Sequence, residues 1–75
     1  MEYDVHVNAT GLCCPMPIFY AKKALNQMQT GQVLCIDITE PGGVKDFITM
    51  CSSQGHEFIG SDEDSGIFSV RLRKG

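Results

Sequence analysis

The chain has 75 residues, of which 43% are hydrophobic and 20% charged, and a formal net charge of −3 at pH 7. That length allows a single domain, residues 1–75, with a small core, since a chain of this size buries only about 60% of its unfolded surface. Six Lys and Arg against nine Asp and Glu argue against direct nucleic-acid binding, which leaves a basic footprint, and no apolar run nears the ~18 residues a membrane helix needs. The first residues, MEYDVHVN, have neither a basic n-region nor an apolar h-region, so a cytoplasmic location is expected.

In chain order, YDVHV alternates, with Tyr3, Val5 and Val7 on one side and Asp4 and His6 on the other, and predicts a first strand. Asn8 to Cys13 read as a loop containing Gly11. From Pro15 the period changes: Ile18, Ala21, Leu25 and Met28 recur at helical spacing while Lys22, Lys23, Asn26 and Gln29 face away. Thr30-Gly31 stops that helix, with Gly31 suited to a left-handed position. QVLCIDI is a second strand, with Leu34, Ile36 and Ile38 on one face and Val33, Cys35 and Asp37 on the other. After the TEPGG loop, Val44, Phe47, Ile48 and Cys51 fit the i, i+3, i+4, i+7 template of a second helix reaching about Gln54, with Gly55 ending it. HEFIGS and IFSVRLR flank the turn DEDSG and form a hairpin, with Phe68, Val70 and Leu72 inward.

The order β-α-β-α-β-β starts with a right-handed crossover between parallel strands and closes on an antiparallel hairpin. The expected fold is a two-layer α/β sandwich: a four-stranded mixed sheet with two helices on one face. Its open face would carry Cys35, Asp37, Ser69 and Arg71. The basic cluster Arg71, Arg73 and Lys74 and the acidic Asp62, Glu63 and Asp64 read as solvated surface.

The four cysteines are Cys13, Cys14, Cys35 and Cys51. A disulfide scaffold belongs to secreted domains. Zinc fits poorly, because there is no Cys-x-x-Cys pair and His6 and His56 stand alone in the sequence. Free thiols are therefore expected, with no metal. A Cys13–Cys14 bridge would be strained, since neighbouring Cα atoms lie ~3.8 Å apart and disulfides prefer ~4.4–6.8 Å. Cys51, on the apolar stripe of the second helix, reads as core. Cys35, mid-strand on the less covered face, reads as a partly exposed residue with nothing near it in sequence to activate it.

Cys14 differs. Pro15 suits the first helical position, where a missing N–H costs nothing, and Pro17 falls in the same first turn, so Cys14 is placed at the N-cap. A helix N-terminus carries about half a positive charge, which favours a thiolate, and cysteines so placed reach pKa values of ~3.5–7.5 against ~8.5 when free. The N–H of Met16 is expected among the few free donors facing the sulfur. Cys13, outside the cap, is expected to pack or to lie nearby as a resolving thiol. No partnered His completes a hydrolase arrangement, and so small a chain has little room for a substrate pocket. The sulfur itself is therefore the expected chemistry.

Gly11, Leu12, Cys13, Cys14, Pro15, Met16 and Pro17 form a Gly-Leu-x-Cys-Pro-x-Pro run that resembles the signature of the TusA/SirA-like family of small sulfur-carrier proteins. The likeness extends through AKKALNQMQTGQVL, TEPGGVKDF, GHEFIG and RLRKG. It implies the same β-α-β-α-β-β sandwich, no cofactor, and a sulfurtransferase that holds a persulfide on Cys14. A cysteine desulfurase or rhodanese would load it, and a DsrE/TusD-type protein or other sulfur acceptor would unload it. In the family the relay serves tRNA 2-thiolation, cofactor sulfuration or sulfur oxidation. Two departures stand out: Asn8 where members often have Asp, which removes a negative charge near the thiol, and Glu40-Pro41 where they have Asp-Pro. A monomer with transient partners is expected, Lys22 and Lys23 offering an acidic protein a docking rim. The competing readings are a thiol redox sensor using Cys13 and Cys14 and a non-catalytic module docking through the first helix.

Overall fold

The computed structural model describes residues 3–13 and 15–75. Its elements run β1 (Val5–Ala9), α1 (Met16–Asn26), β2 (Val33–Ile38), α2 (Gly43–Gln54), β3 (Glu57–Asp64) and β4 (Ile67–Arg73). The sheet order is β1-β2-β4-β3, with β1 parallel to β2 and the other pairs antiparallel. This is the expected mixed four-stranded sheet with both helices on one face.

The period-2 alternation of β2 and β4 buries Leu34, Ile36, Ile38, Val70 and Leu72 completely. Against them pack Ala21 and Leu25 of α1 and Phe47, Met50 and Cys51 of α2. Burying each such aliphatic or aromatic side chain contributes about 1.5–3 kcal/mol before entropy is charged.

Several boundaries move. β1 begins later and continues through Asn8 to Ala9, because each residue from Val5 to Ala9 has a partner on β2. Tyr3 precedes the strand, half exposed, its ring 5.6 Å from that of His6. α1 ends at Asn26 instead of Thr30. Lys74 Nζ donates to Leu25 O in the last turn of α1 and to Met28 O just past it, so the residue following β4 closes the helix and no glycine is needed there. Gly31, with φ 93°, instead turns the loop whose N–H donates to Lys74 O at 2.8 Å. On α2 the inward face is Gly43, Phe47, Met50 and Cys51, while Ile48 is 47% exposed. Gly55 ends this helix in the left-handed region, as expected.

The hairpin is tighter than its acidic run suggests. Asp62, Glu63 and Asp64 belong to β3, and only Ser65 and Gly66 turn the chain, with φ 54° and 84°. Two consecutive positive φ values match the type I′ geometry whose twist suits flanking strands. The basic residues of β4 are paired: Arg71 with Asp62 at 2.5 Å and Arg73 with Glu57 at 2.8 Å. No helix among the described residues is long and apolar enough to cross a membrane.

Candidate functional site

The Gly11–Pro17 segment connects the end of β1 to the start of α1. Because β1 and β2 are parallel, their C-terminal ends lie together, and the loops leaving them share one edge of the sheet. In open α/β sheets this is the edge where ligands bind. Asn8 Oδ1 accepts from Thr10 N at 3.0 Å and Thr10 Oγ1 at 2.7 Å, a local turn of the kind Asn favours. The side-chain carbonyl of Asn8 is thus engaged within the loop. Gly11 has φ 78° and its N–H donates to Thr39 Oγ1, just past β2, at 2.9 Å. An L side chain is strained at that φ. Leu12 packs against the core.

Cys13 is exposed and free, so it is not core filling. Its carbonyl accepts from Met16 N at 3.0 Å. Cys14 lies outside the described residues. Pro15 occupies the N-cap of α1, one position earlier than expected, with Met16 at N1 and a buried Pro17 at N2. A one-residue shift at a helix end is small, but here it changes the donor account. Helix starts normally leave several N–H groups without partners. Pro15 and Pro17 have none. Met16 N is spent on Cys13 O, and Ile18 and Phe19 donate to Pro15 O at 3.1 and 3.3 Å. Among the described residues the helix has no side-chain cap. The Met16 N–H is therefore not a free donor.

The two prolines stiffen the first turn, since each fixes its own φ. Lys22 and Lys23 are both exposed on α1, and Met16, Phe19 and Tyr20 expose 39%, 53% and 42% of their surfaces. The gap between the starts of α1 and α2, bounded by Pro17, Ile18, Gly43 and Phe47, holds only about 10 Å³. The larger hollow, about 670 Å³ and open to solvent, lies along the C-terminal half of α1 between Tyr20, Lys23, Met28 and Val7.

A family model described as sulfurtransferase TusA matches residues 5–74. The chain belongs to the TusA family. A sulfur carrier protein TusA of Allochromatium vinosum is 44% identical over 73 residues, which are 97% of this chain and 96% of that one. A putative sulfur carrier protein of Neisseria meningitidis serogroup A is 44% identical over 64 residues, 85% of this chain and 86% of its own. The crystal structure of a SirA-like protein from Desulfitobacterium hafniense matches with a TM-score of 0.80 at 25% identity, over 96% of this chain and 99% of that chain. The TusA/SirA likeness carried by the Gly-Leu-x-Cys-Pro-x-Pro run is thereby confirmed across nearly the whole chain.

The remaining thiols of this TusA-family chain are poor nucleophiles. Cys51 is 2% exposed, and burial pushes its thiol pKa up. Cys35, expected to be partly exposed, is 6% exposed. In the sheet register it lies between His6 and Arg71, two longer side chains on the same open face. Burial raises its pKa, Asp37 raises it further, and Arg71 opposes both. On that face His6 Nε2 lies 2.8 Å from Asp37 Oδ2, and Ser69 Oγ donates to Asp37 Oδ1 at 2.9 Å. Asp37 and Ser69 share the open face as expected, and the member the sequence did not signal is His6, which reaches them from the neighbouring strand. The other histidine, His56, accepts at Nδ1 from Gly75 N at 3.1 Å.

Proposed function

We propose that this chain is a sulfur carrier that holds sulfane sulfur as a persulfide on Cys14 and relays it from one protein to another. The observation that carries the reading is the division among the thiols. Cys35 and Cys51 are buried with raised pKa values, which leaves the exposed Cys13 and its motif neighbour Cys14 as the candidates for sulfur chemistry. The pocket bounded by Pro17, Ile18, Gly43 and Phe47, about 10 Å³, is too small to hold a free substrate, which favours sulfur delivered on a partner's cysteine. Gly11, Leu12, Pro15 and Pro17 support the site by shaping the loop and stiffening the helix start.

In the loading step the Cys14 thiolate attacks the outer sulfur of a donor persulfide. A new S–S bond forms, the donor's S–S bond breaks, and the donor leaves as a thiolate. Unloading repeats this exchange with an acceptor thiolate attacking the outer sulfur on Cys14. No net oxidant or reductant is consumed. The donor is of the cysteine desulfurase or rhodanese type and the acceptor of the DsrE/TusD type or another sulfur-accepting protein, in the cytoplasm. Lys22 and Lys23 supply a cationic rim for acidic partners.

The test is intact-protein mass after incubation with a cysteine desulfurase and cysteine, followed by peptide mapping. One added sulfur on Cys14, released by reductant and absent in Cys14→Ser, is expected. Loading that persists in Cys14→Ser overturns the assignment. The exposure of Cys13 favours a second reading, a thiol redox sensor, for which sulfenic acid formation under mild peroxide would outpace persulfide formation.

A further inference from the structure

The open face of the sheet, opposite the helices, gathers three different metal-ligand chemistries. One ligand atom each from His6, Cys35 and Asp37 lies within 4.8 Å of the other two. We propose that His6, Cys35 and Asp37 form a three-ligand site for a divalent transition-metal ion of the zinc type, with the fourth position open to solvent. The proposal is separate from sulfur carriage and uses none of the motif residues.

Parallel pairing creates the site. His6 on β1 is the register partner of Cys35, and Asp37 follows two residues along β2 on the same face. Zinc takes thiolate, imidazole and carboxylate ligands at ~2.0–2.3 Å in a tetrahedron, whose edges are therefore ~3.3–3.8 Å. The widest spacing, at most 4.8 Å, closes to that by about 1 Å, while the 2.8 Å His6–Asp37 hydrogen bond opens to admit the ion. The half-exposed His6 ring can supply the movement, its side chain being 40% accessible. Ser69 Oγ already holds the far oxygen of Asp37 at 2.9 Å, the kind of outer contact that orients a metal-bound carboxylate.

Charge supports the same occupant. A Cys35 thiolate and the Asp37 carboxylate together neutralise a divalent cation, and Arg71 beside them is itself paired with Asp62. Arg71 Nε is buried with no hydrogen-bond partner among the described residues, and it sits opposite Cys35 in the register, placed to serve a thiolate. On binding, the Cys35 S–H bond breaks, the metal–sulfur bond forms, and the proton leaves to solvent. The soft sulfur with imidazole selects zinc-like ions over Mg²⁺ or Ca²⁺.

The test uses Co²⁺ as a spectroscopic probe in full-length protein carrying Cys13→Ser and Cys14→Ser, so that the motif thiols cannot contribute. One equivalent should produce a thiolate-to-cobalt charge-transfer band with ligand-field bands of tetrahedral intensity, both displaced by Zn²⁺. Cys35→Ser should abolish the charge-transfer band. His6→Ala, at an exposed ring, should fold normally and weaken binding more than ~100-fold, beyond the 10–100-fold typical of losing an outer contact. Absence of the band, or unchanged affinity in His6→Ala, overturns the proposal.

Discussion

The four thiols should separate sharply under alkylation of the native protein. Cys51 lies on the buried face of α2 against the sheet, 2% exposed, so a reagent reaches it only through opening of the core. A 75-residue chain at ~0.05–0.15 kcal/mol per residue has about 4–11 kcal/mol of global stability. The opening of a core helix approaches that limit, so Cys51 should react at least ~10³-fold more slowly than a free thiol. Cys35 is reached by smaller motions on the open face, and its raised pKa lowers its thiolate fraction further, which places it between the extremes. Cys13, exposed, and Cys14 as the proposed carrier should react first. Iodoacetamide time courses read by intact mass should therefore show two fast adducts, both on the tryptic peptide ending at Lys22, then a slow third and a much slower fourth. In denaturant all four rates should converge. A Cys51 rate within tenfold of that of Cys13 would refute the burial argument and, with it, the assignment of the carrier by elimination.

Other outcomes follow from single contacts. A Cβ on Gly43 would meet Cδ1 of the fully buried Ile38 at 2.6 Å, so Gly43→Ala should cost ~1–3 kcal/mol in overpacking, little of it recovered as helix propensity at the first helical position; a lower urea midpoint at unchanged m-value checks the loss. Lys74→Met keeps the aliphatic stem but removes the cation from Leu25 O and Met28 O, and should cost about 1.5–3 kcal/mol by the same measurement. Burial raises the folded-state pKa of Cys51, so its neutral form contributes stability below the ordinary thiol value, and that contribution is lost as pH rises through the raised one. Between about pH 8 and 10 the wild type should therefore lose more stability than Cys51→Ala, followed by urea midpoints across that range.

What the sequence made legible was local. Strand and helix periods, the Gly55 stop and the proline-marked start of α1 each depend on a few neighbouring residues. The errors came where a choice depends on what lies across the fold. The i, i+3, i+4 pattern on α2 fits Ile48 as well as Met50, and only the position of the sheet turns Met50 inward. The acidic run read as a turn is strand, because Ser65 and Gly66 complete the reversal alone. Asn8 and Ala9 look like loop until β2 supplies their partners Asp37 and Ile38. The grouping of His6 with Asp37 joins residues 31 apart and has no signature in either segment.

The motif itself shows the same division at finer scale. Its identity is contiguous and therefore readable, but its physical logic rests on a count of donors that sequence spacing misplaced by one residue. With Pro15 at the N-cap, Pro17 at N2 and Met16 N bonded to Cys13 O, the first turn has no N–H left to offer a neighbouring thiolate. What the start of α1 can still offer a neighbouring thiolate is the field of its aligned peptide dipoles. Such an effect is worth ~0.3–1 kcal/mol at exposed sites, a few tenths of a pKa unit, far short of the multi-unit shifts of strongly activated cysteines. For a carrier that is a useful state. A thiol that gives up sulfur as readily as it takes it should have a basicity matched to its partners' thiols, because a large mismatch makes exchange favourable in one direction and unfavourable in the other. The prolines thus supply rigidity without free donors, and under the proposed carrier role the direction of transfer falls to the partner proteins.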